Sequence, residues 1–228
     1  MTEQIQELID NVNKRQPLII NCFGSKGGVG KTTIATQLTV AFRMNDFKVA
    51  FYDLDRQKTA THYFSKINEK FRPNEIYNLS GFEHGEVDIV IYDYPPNADF
   101  IPKKGTLIVA PTGSGNFDIH SYAKVVELAK QNNNPIIKVL NKVSLVRTSD
   151  LQAMEAFDSC VVISQNTAIE NAFNEYRTIF NYSHPNSRKA QRQFQFLIDC
   201  IIAKKTVKMT PARLTDISLK GARLNDFN

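Results

Sequence analysis

The sequence predicts an α/β fold, a mostly parallel twisted sheet with helices on both faces. Three observations carry the prediction. Short apolar runs alternate with stretches of helical periodicity along the chain, the order that strand–helix–strand units produce. The runs Leu18–Phe23, Lys48–Leu54 and Val87–Tyr92 are apolar almost end to end rather than alternating, as strands covered on both faces are. Each run is followed by glycines or carboxylates, which places polar chemistry at the strand ends where open α/β sheets bind ligands.

Composition sets the bounds. The 228 residues suffice for one domain with a real core, and 42% hydrophobic with 22% charged residues is ordinary for a globular chain. No apolar run approaches the length of a membrane span. Residues 1–15 are polar and acidic early, unlike a secretory signal. Cys22, Cys160 and Cys200 are far apart, form no metal spacing and read as buried small hydrophobes in a reducing cytosol. His62, His84, His120 and His184 are scattered, and none is taken as a ligand. There is no internal repeat and no low-complexity linker. One domain is expected over residues 1–205, followed by a basic tail over 206–228.

Ile5, Leu8, Ile9 and Val12 recur at i, i+3, i+4 and i+7, predicting a short amphipathic helix within residues 1–15. It is too short for a helix-turn-helix module. Leu18–Phe23 is the first strand. Behind it, Gly24-Ser25-Lys26-Gly27-Gly28-Val29-Gly30-Lys31-Thr32-Thr33 fits G-x-x-x-x-G-K-[ST]. Glycines let the backbone wrap closely, so that N–H groups from Gly27, Gly28, Val29, Gly30, Lys31, Thr32 and Thr33 can point at phosphates. The helix that starts near Lys31 adds its positive N-terminal dipole. Lys31 is placed to reach the β- and γ-phosphates, and the Thr32 hydroxyl to hold Mg²⁺. A ligand-free glycine-rich turn is the plainer alternative, but strand, loop, Lys-Thr and helix occur here in the required order.

The helix after this loop carries Ile34, Leu38, Ala41 and Phe42 on one face, and Asp46 sits in the turn beyond it. Lys48–Leu54 is the second strand and runs into Asp53-Leu54-Asp55-Arg56-Gln57. Two carboxylates at this edge suit holding Mg²⁺ or orienting a water, though strand-end acids also cap following helices. Thr59–Phe71 reads as a helix with Tyr63, Phe64, Ile67 and Phe71 inward. Residues 72–86 are turn-rich, with a short edge strand near Ile76-Tyr77. Val87–Tyr92 closes on Asp93-Tyr94-Pro95-Pro96, and an apolar run ending in Asp suits the ordering of a Mg²⁺ shell. Gly105–Pro111 is a strand, and Ile119, Tyr122, Val126 and Ala129 make a helix stripe. Pro135–Leu140 is a strand ending in Asn141-Lys142. Ser149–Phe157 is a helix and Cys160–Ser164 the final strand. Thr167–Phe180 is read as a helix with Ile169, Ala172, Phe173 and Tyr176 on its core side. After a break at residues 184–187, Phe194, Leu197, Ile198 and Ile201 mark the last packed helix.

Net charge is +5, and its distribution is uneven. Residues 188–223 hold nine Lys or Arg against only Asp199 and Asp216, a local excess of +7. Such a face is the usual footprint of a polyanion partner, and a solvated helix face with a mobile tail is the competing reading.

The K-G-G-V-G-K-T-T segment holds a second lysine, Lys26, that one nucleotide does not need. It resembles the deviant Walker A motif of the ParA/MinD family of ATPases, and the resemblance runs over roughly residues 17–205. It implies a P-loop NTPase fold in which Lys26 crosses a dimer interface to the partner's nucleotide. A surface lysine on a flexible loop is the alternative. It further implies that Asp53 is a Walker A′ carboxylate and that Asp55 orients the hydrolytic water. Asp93 would be the Walker B carboxylate, completing a Mg²⁺ set with Thr32 and Asp53. Asn141 would touch the base, although a turn-forming Asn accounts for it as well. Asp118, downstream of Pro111, also matches a family position. The chain departs from the family at Arg56, where proline is usual, which bears on the rigidity of that loop.

These positions assign catalytic roles to Lys26, Lys31 and Asp55, with ATP and Mg²⁺ as cofactors. No glutamate offers an obvious general base, so hydrolysis is expected to be slow and stimulated by a partner. The resemblance implies a small partition ATPase, cytoplasmic and nucleoid-associated. ATP would join two subunits, the dimer would bind DNA non-specifically, and a small centromere-binding or adaptor protein would trigger release. A MinD-like membrane-surface ATPase is an alternative, since Leu214, Ile217 and Leu224 lie among basic residues, but Pro211 and Gly221 make a poor anchor helix. Positioning of a protein cargo is another, and a small-molecule ligase of the same fold a third.

Overall fold

The structure is a computed structural model. It describes residues 17–78, 85–98, 101–144, 146–157 and 160–203. The amphipathic pattern within residues 1–15 and the basic tail over 206–228 lie outside the described residues.

Seven strands form one sheet in the order β3-β2-β4-β1-β5-β6-β7. They are β1 (Leu18–Cys22), β2 (Val49–Asp53), β3 (Glu75–Tyr77), β4 (Ile89–Asp93), β5 (Leu107–Thr112), β6 (Ile136–Val143) and β7 (Val161–Ser164). Every pairing is parallel, so the sheet is all-parallel rather than mostly so. Six α-helices accompany it among the described residues: α1 (Lys31–Met44), α2 (Thr59–Lys66), α3 (Asn116–Gln131), α4 (Thr148–Ala156), α5 (Thr167–Asn174) and α6 (Ser187–Ala203).

The continuous apolar runs read as two-faced strands because they are. Ile20, Val49, Phe51, Ile89, Ile91, Val109 and Val139 pack with α1, α2, α5 and α6 in one core. Ile108, Ala110, Leu140 and Val162 pack with Tyr122, Val125, Ala129 and Met154 of α3 and α4 in another. Helix α1 is the centre of the first layer, buried nearly all round from Ile34 to Phe42. The free cysteines Cys22, Cys160 and Cys200 are all buried.

Two helices are shorter than their periodicity predicts. Helix α2 stops at Lys66, because Ile67 turns extended (ψ 167°) and the Arg72 guanidinium takes the carbonyls of Ser65 and Ile67 at 3.2 and 2.9 Å. Ile67 and Phe71 stay buried as predicted, Phe71 in a separate 3₁₀ turn over Glu69–Phe71. Helix α5 stops at Asn174 in a Schellman closure: Tyr176 is left-handed (φ 54°) and the Arg177 N–H returns to Ala172 O at 2.7 Å. That turn swings Tyr176 away from the core, leaving it 39% exposed rather than inward. On α3 Tyr122, Val125 and Ala129 are buried, with Val126 only partly covered.

The strand order reverses at β1. From there the chain builds β2, β3 and β4 on one side and β5, β6 and β7 on the other. The carboxyl ends of β1, β4 and β5 therefore border the crevice where such sheets bind ligands.

Candidate functional site

β1 ends at Cys22, and the glycine-rich loop runs from there to the start of α1. Gly28 and Gly30 take positive φ (76° and 96°), which only glycine adopts without strain. At Gly30 a Cβ would also collide with the Asn141 side-chain amide. Gly30 is the N-cap of α1, no side chain caps that end, and its first turn carries no acid. The first N–H groups of the helix are thus left facing outward, a built anion seat.

Lys31 is 6% exposed and folds back over the loop, its Nζ donating to Lys26 O at 2.9 Å. Burial lowers its pKa, while Asp93 and Asp55 pull the other way. The loop is braced from β6: Asn141 Nδ2 donates to Val29 O at 2.8 Å and Lys142 Nζ to Gly28 O at 3.1 Å. Asn141 thus lies inside a strand and grips the loop's backbone.

The register of the sheet aligns the acids. Cys22, Asp93 and Asp53 are Cα partners in a row across β1, β4 and β2. Asp53 and Asp93 are both fully buried. Asp53 Oδ2 accepts the N–H and hydroxyl of Thr61, each at 2.8 Å, whereas Asp53 Oδ1 and both oxygens of Asp93 have no hydrogen-bond partner. Buried carboxylate oxygens are rarely left orphaned without a ligand to meet them. Burial pushes the Asp93 carboxyl up to about 7; the nearby Thr32 hydroxyl and Lys31 oppose this, and Asp53 and Asp55 add to it. Burial also raises the Cys22 thiol well above its usual range, with Asp93 adding to the effect. Among the described residues no three His, Cys, Asp or Glu side chains gather into a closed metal cage. Two carboxylates beside a threonine hydroxyl fit Mg²⁺ instead, which keeps waters and takes substrate phosphate oxygens.

Asp55 lies just beyond β2, half-buried, and acts electrostatically on both Lys31 and Asp93. Lys26 does not point into this cluster. Its ammonium pairs with the Asp118 carboxylate in the first turn of α3. The neighbouring Ser25 hydroxyl donates to Ser121 O at 3.1 Å, and Asn97 N–H donates to Ser25 O at 3.0 Å.

Next to the loop lies a cavity of about 300 Å³, lined among others by Thr33, Asn141, Ser164, Asn166, Glu170 and Phe173. The β7–α5 side of this cavity was not legible in the sequence, because Ser164-Gln165-Asn166 resembles any polar turn. Lys58, Thr61 and Lys142 were missed too; the one signal is that each follows a strand-end acid or amide closely. Of the basic residues, Arg188, Lys189 and Arg192 lie on α6, which starts beside the carboxyl end of β7, where Asn166 Nδ2 donates to Asn186 O at 3.0 Å. The other six lie outside the described residues. No described helix is long and apolar enough to cross a membrane.

Comparison with known proteins agrees with this geometry. The family model for the CobQ/CobB/MinD/ParA nucleotide binding domain matches residues 20–179. A cobyrinate a,c-diamide synthase of Leptospira interrogans is 30% identical over 139 residues, which is 59% of this chain but only 29% of the synthase. Among solved structures, MinD of Pyrococcus horikoshii complexed with Mg-ADP superposes with a TM-score of 0.63 at 17% identity, covering 84% of this chain and 100% of the other. A plasmid partition protein of Borrelia burgdorferi bound to AMPPNP gives 0.61 at 17% identity, covering 81% and 99%. At these identities the superpositions establish the fold.

Proposed function

Because the chain belongs to the CobQ/CobB/MinD/ParA nucleotide-binding family, we propose that it is a small partition-type ATPase. ATP joins two copies into a dimer that binds DNA non-specifically. Slow hydrolysis, stimulated by a small adaptor bound to cargo DNA, releases it. The protein then works in the cytoplasm on the nucleoid, within one ATPase domain over residues 1–205 and a basic tail over 206–228.

The observation that carries the reading is the opposite disposition of the two loop lysines. Lys31 is buried inside the cradle, whereas the Lys26 side chain is 47% exposed on its rim. A single nucleotide needs only the first, which supports a role for the second in another subunit. The local excess of +7 over residues 188–223 supports a polyanion partner as the choice within the family.

The residues divide the work. Backbone N–H groups of Gly27 to Thr33 hold the phosphates, and Lys31 leaves the Lys26 carbonyl to neutralise them. Thr32, Asp53 and Asp93 would hold Mg²⁺, which would supply neutralisation of the charge on the phosphate oxygens. Asp55 orients a water for in-line attack. Asn141 fixes the loop and forms the near wall of the base pocket. Binding of a fluorescent ATP analogue tests the site: Lys31→Ala is expected to abolish it, and retained tight binding would refute the assignment.

A further inference from the structure

Within the turn that carries Asp55, one ammonium makes the long-range side-chain contacts. Asp55 to Lys58 form a tight turn, closed by Lys58 N–H donating to Asp55 O at 3.2 Å and Gln57 N–H to Asp55 Oδ1 at 3.0 Å. Arg56 occupies the second position of this turn, where a proline would fix φ and an arginine leaves it free. Arg56 and Gln57 are exposed, so packing does not restrain them.

The restraint comes from Lys58. Its backbone is left-handed (φ 51°), unfavourable for a residue with a side chain, and it directly precedes α2. That conformation goes with an Nζ aimed back at the sheet. It donates to Asp53 O at 2.6 Å and to Asn78 O at 2.8 Å, tying the end of β2 to the residue after β3. One turn later Thr61 repeats the pattern, binding Asp53 Oδ2 and, through its hydroxyl, Asn78 Oδ1 at 3.0 Å. The segment from Asp53 to Thr61 is thus pinned at its far end to Asp53 itself and to Asn78.

We propose that Lys58 is a positioning residue. It holds Asp55 at a set place relative to the buried Asp53 and Asp93, in a turn whose own sequence does not stiffen it. The proposal rests on the ATPase reading for its catalytic consequence and on the Nζ contacts for its structural one. Hydrogen bonds from a charged donor are the strong kind, and two of them close this segment. Removing the ammonium leaves the Asp55 turn with its local bonds, flanked by Leu54 N–H on Asp93 O and by the Thr61 contacts one turn into α2.

The test compares the wild-type full chain, Lys58→Met and the double variant Arg56→Pro/Lys58→Met, all nucleotide-free, by hydrogen exchange at the Gln57 and Lys58 amides. In Lys58→Met exchange is expected to quicken about tenfold, with the melting temperature little changed. In the double variant it returns to within about threefold of wild type, because proline restores the lost restraint. Turnover is the second readout. Lys58→Met lowers kcat about tenfold, leaves analogue affinity within about threefold, and recovers in the double variant. Unchanged exchange in Lys58→Met, or a kcat loss that proline does not reverse, overturns the proposal. If exchange behaves as expected while the wild type hydrolyses no ATP, the tether stands and the ATPase reading falls.

Discussion

Lys26 and Asp118 form an ion pair within one chain, the ammonium on the rim of the phosphate loop and the carboxylate in the first turn of α3. Their side chains are 47% and 17% exposed, so the pair is worth at most about 1 kcal/mol. On the proposed reading, a triphosphate on a second subunit, with several negative charges, would outcompete one carboxylate for that lysine. The pair is a weak internal parking place for a residue assigned to act in trans.

Asp118→Asn removes the competitor. The ATP-analogue concentration needed for dimerisation is expected to fall, by up to about fivefold for a pair of this strength. Analytical ultracentrifugation across an analogue titration checks it; a raised midpoint would mean that Asp118 supports the dimer instead.

Asp55→Ala is expected to retain analogue-driven dimerisation and to lose turnover at least about a hundredfold, the usual scale for a positioned proton-handling group. Phosphate release under saturating ATP measures this. Hydrolysis at the wild-type rate would assign the water to another residue.

Asp93, with its carboxyl pushed up to about 7, sets a pH dependence. The folded chain holds a proton there that the unfolded chain has already lost near pH 4, so this residue stabilises the nucleotide-free protein as pH falls from above 7 toward 4, and that contribution is lost as pH rises through 7. On the proposed reading, Mg²⁺ binding would displace the same proton. Its apparent affinity in analogue binding should drop about tenfold between pH 8 and pH 6. Titration calorimetry at the two pH values checks the sign; equal affinities would remove Asp93 from the cation shell.

Neutralising Lys204, Lys205 and Lys208 is expected to weaken binding to random-sequence DNA. It should also flatten the dependence of log affinity on log salt, by roughly 0.9 for each phosphate no longer neutralised. Fluorescence anisotropy between low and moderate salt gives the slope. An unchanged slope would move the DNA-binding face to other residues, with Arg188, Lys189 and Arg192 on α6 the next to test.

Much of the fold was legible because two-faced strands and short connections leave strong marks. The P-loop, Asp53 and Asp93 could be found one by one, and the register of β1, β4 and β2 then set the acids in one row. Helix ends were less legible. Nothing in the run Thr167–Phe180 announces that Tyr176 turns left-handed, and the stop at Lys66 depends on Arg72, six residues downstream. The tethers by Lys58 and Lys142 are long-range bonds from flexible side chains to carbonyls, which carry no periodicity. Asn141 was visible as a strand-end residue, but its grip on Val29 O, next to a register shift between Asn141 and Val143, is a long-range contact that leaves no mark in the sequence.

Nucleotide joining two copies through Lys26, with the dimer then binding DNA, is the central claim. It is tested most directly by sedimentation of the purified chain with Mg²⁺, with and without a slowly hydrolysed ATP analogue, then with random-sequence DNA added. The predicted result is a dimer that forms only with the analogue, co-migrates with DNA, and is lost in Lys26→Ala while that variant still binds nucleotide. A chain that binds the analogue yet remains monomeric would contradict it.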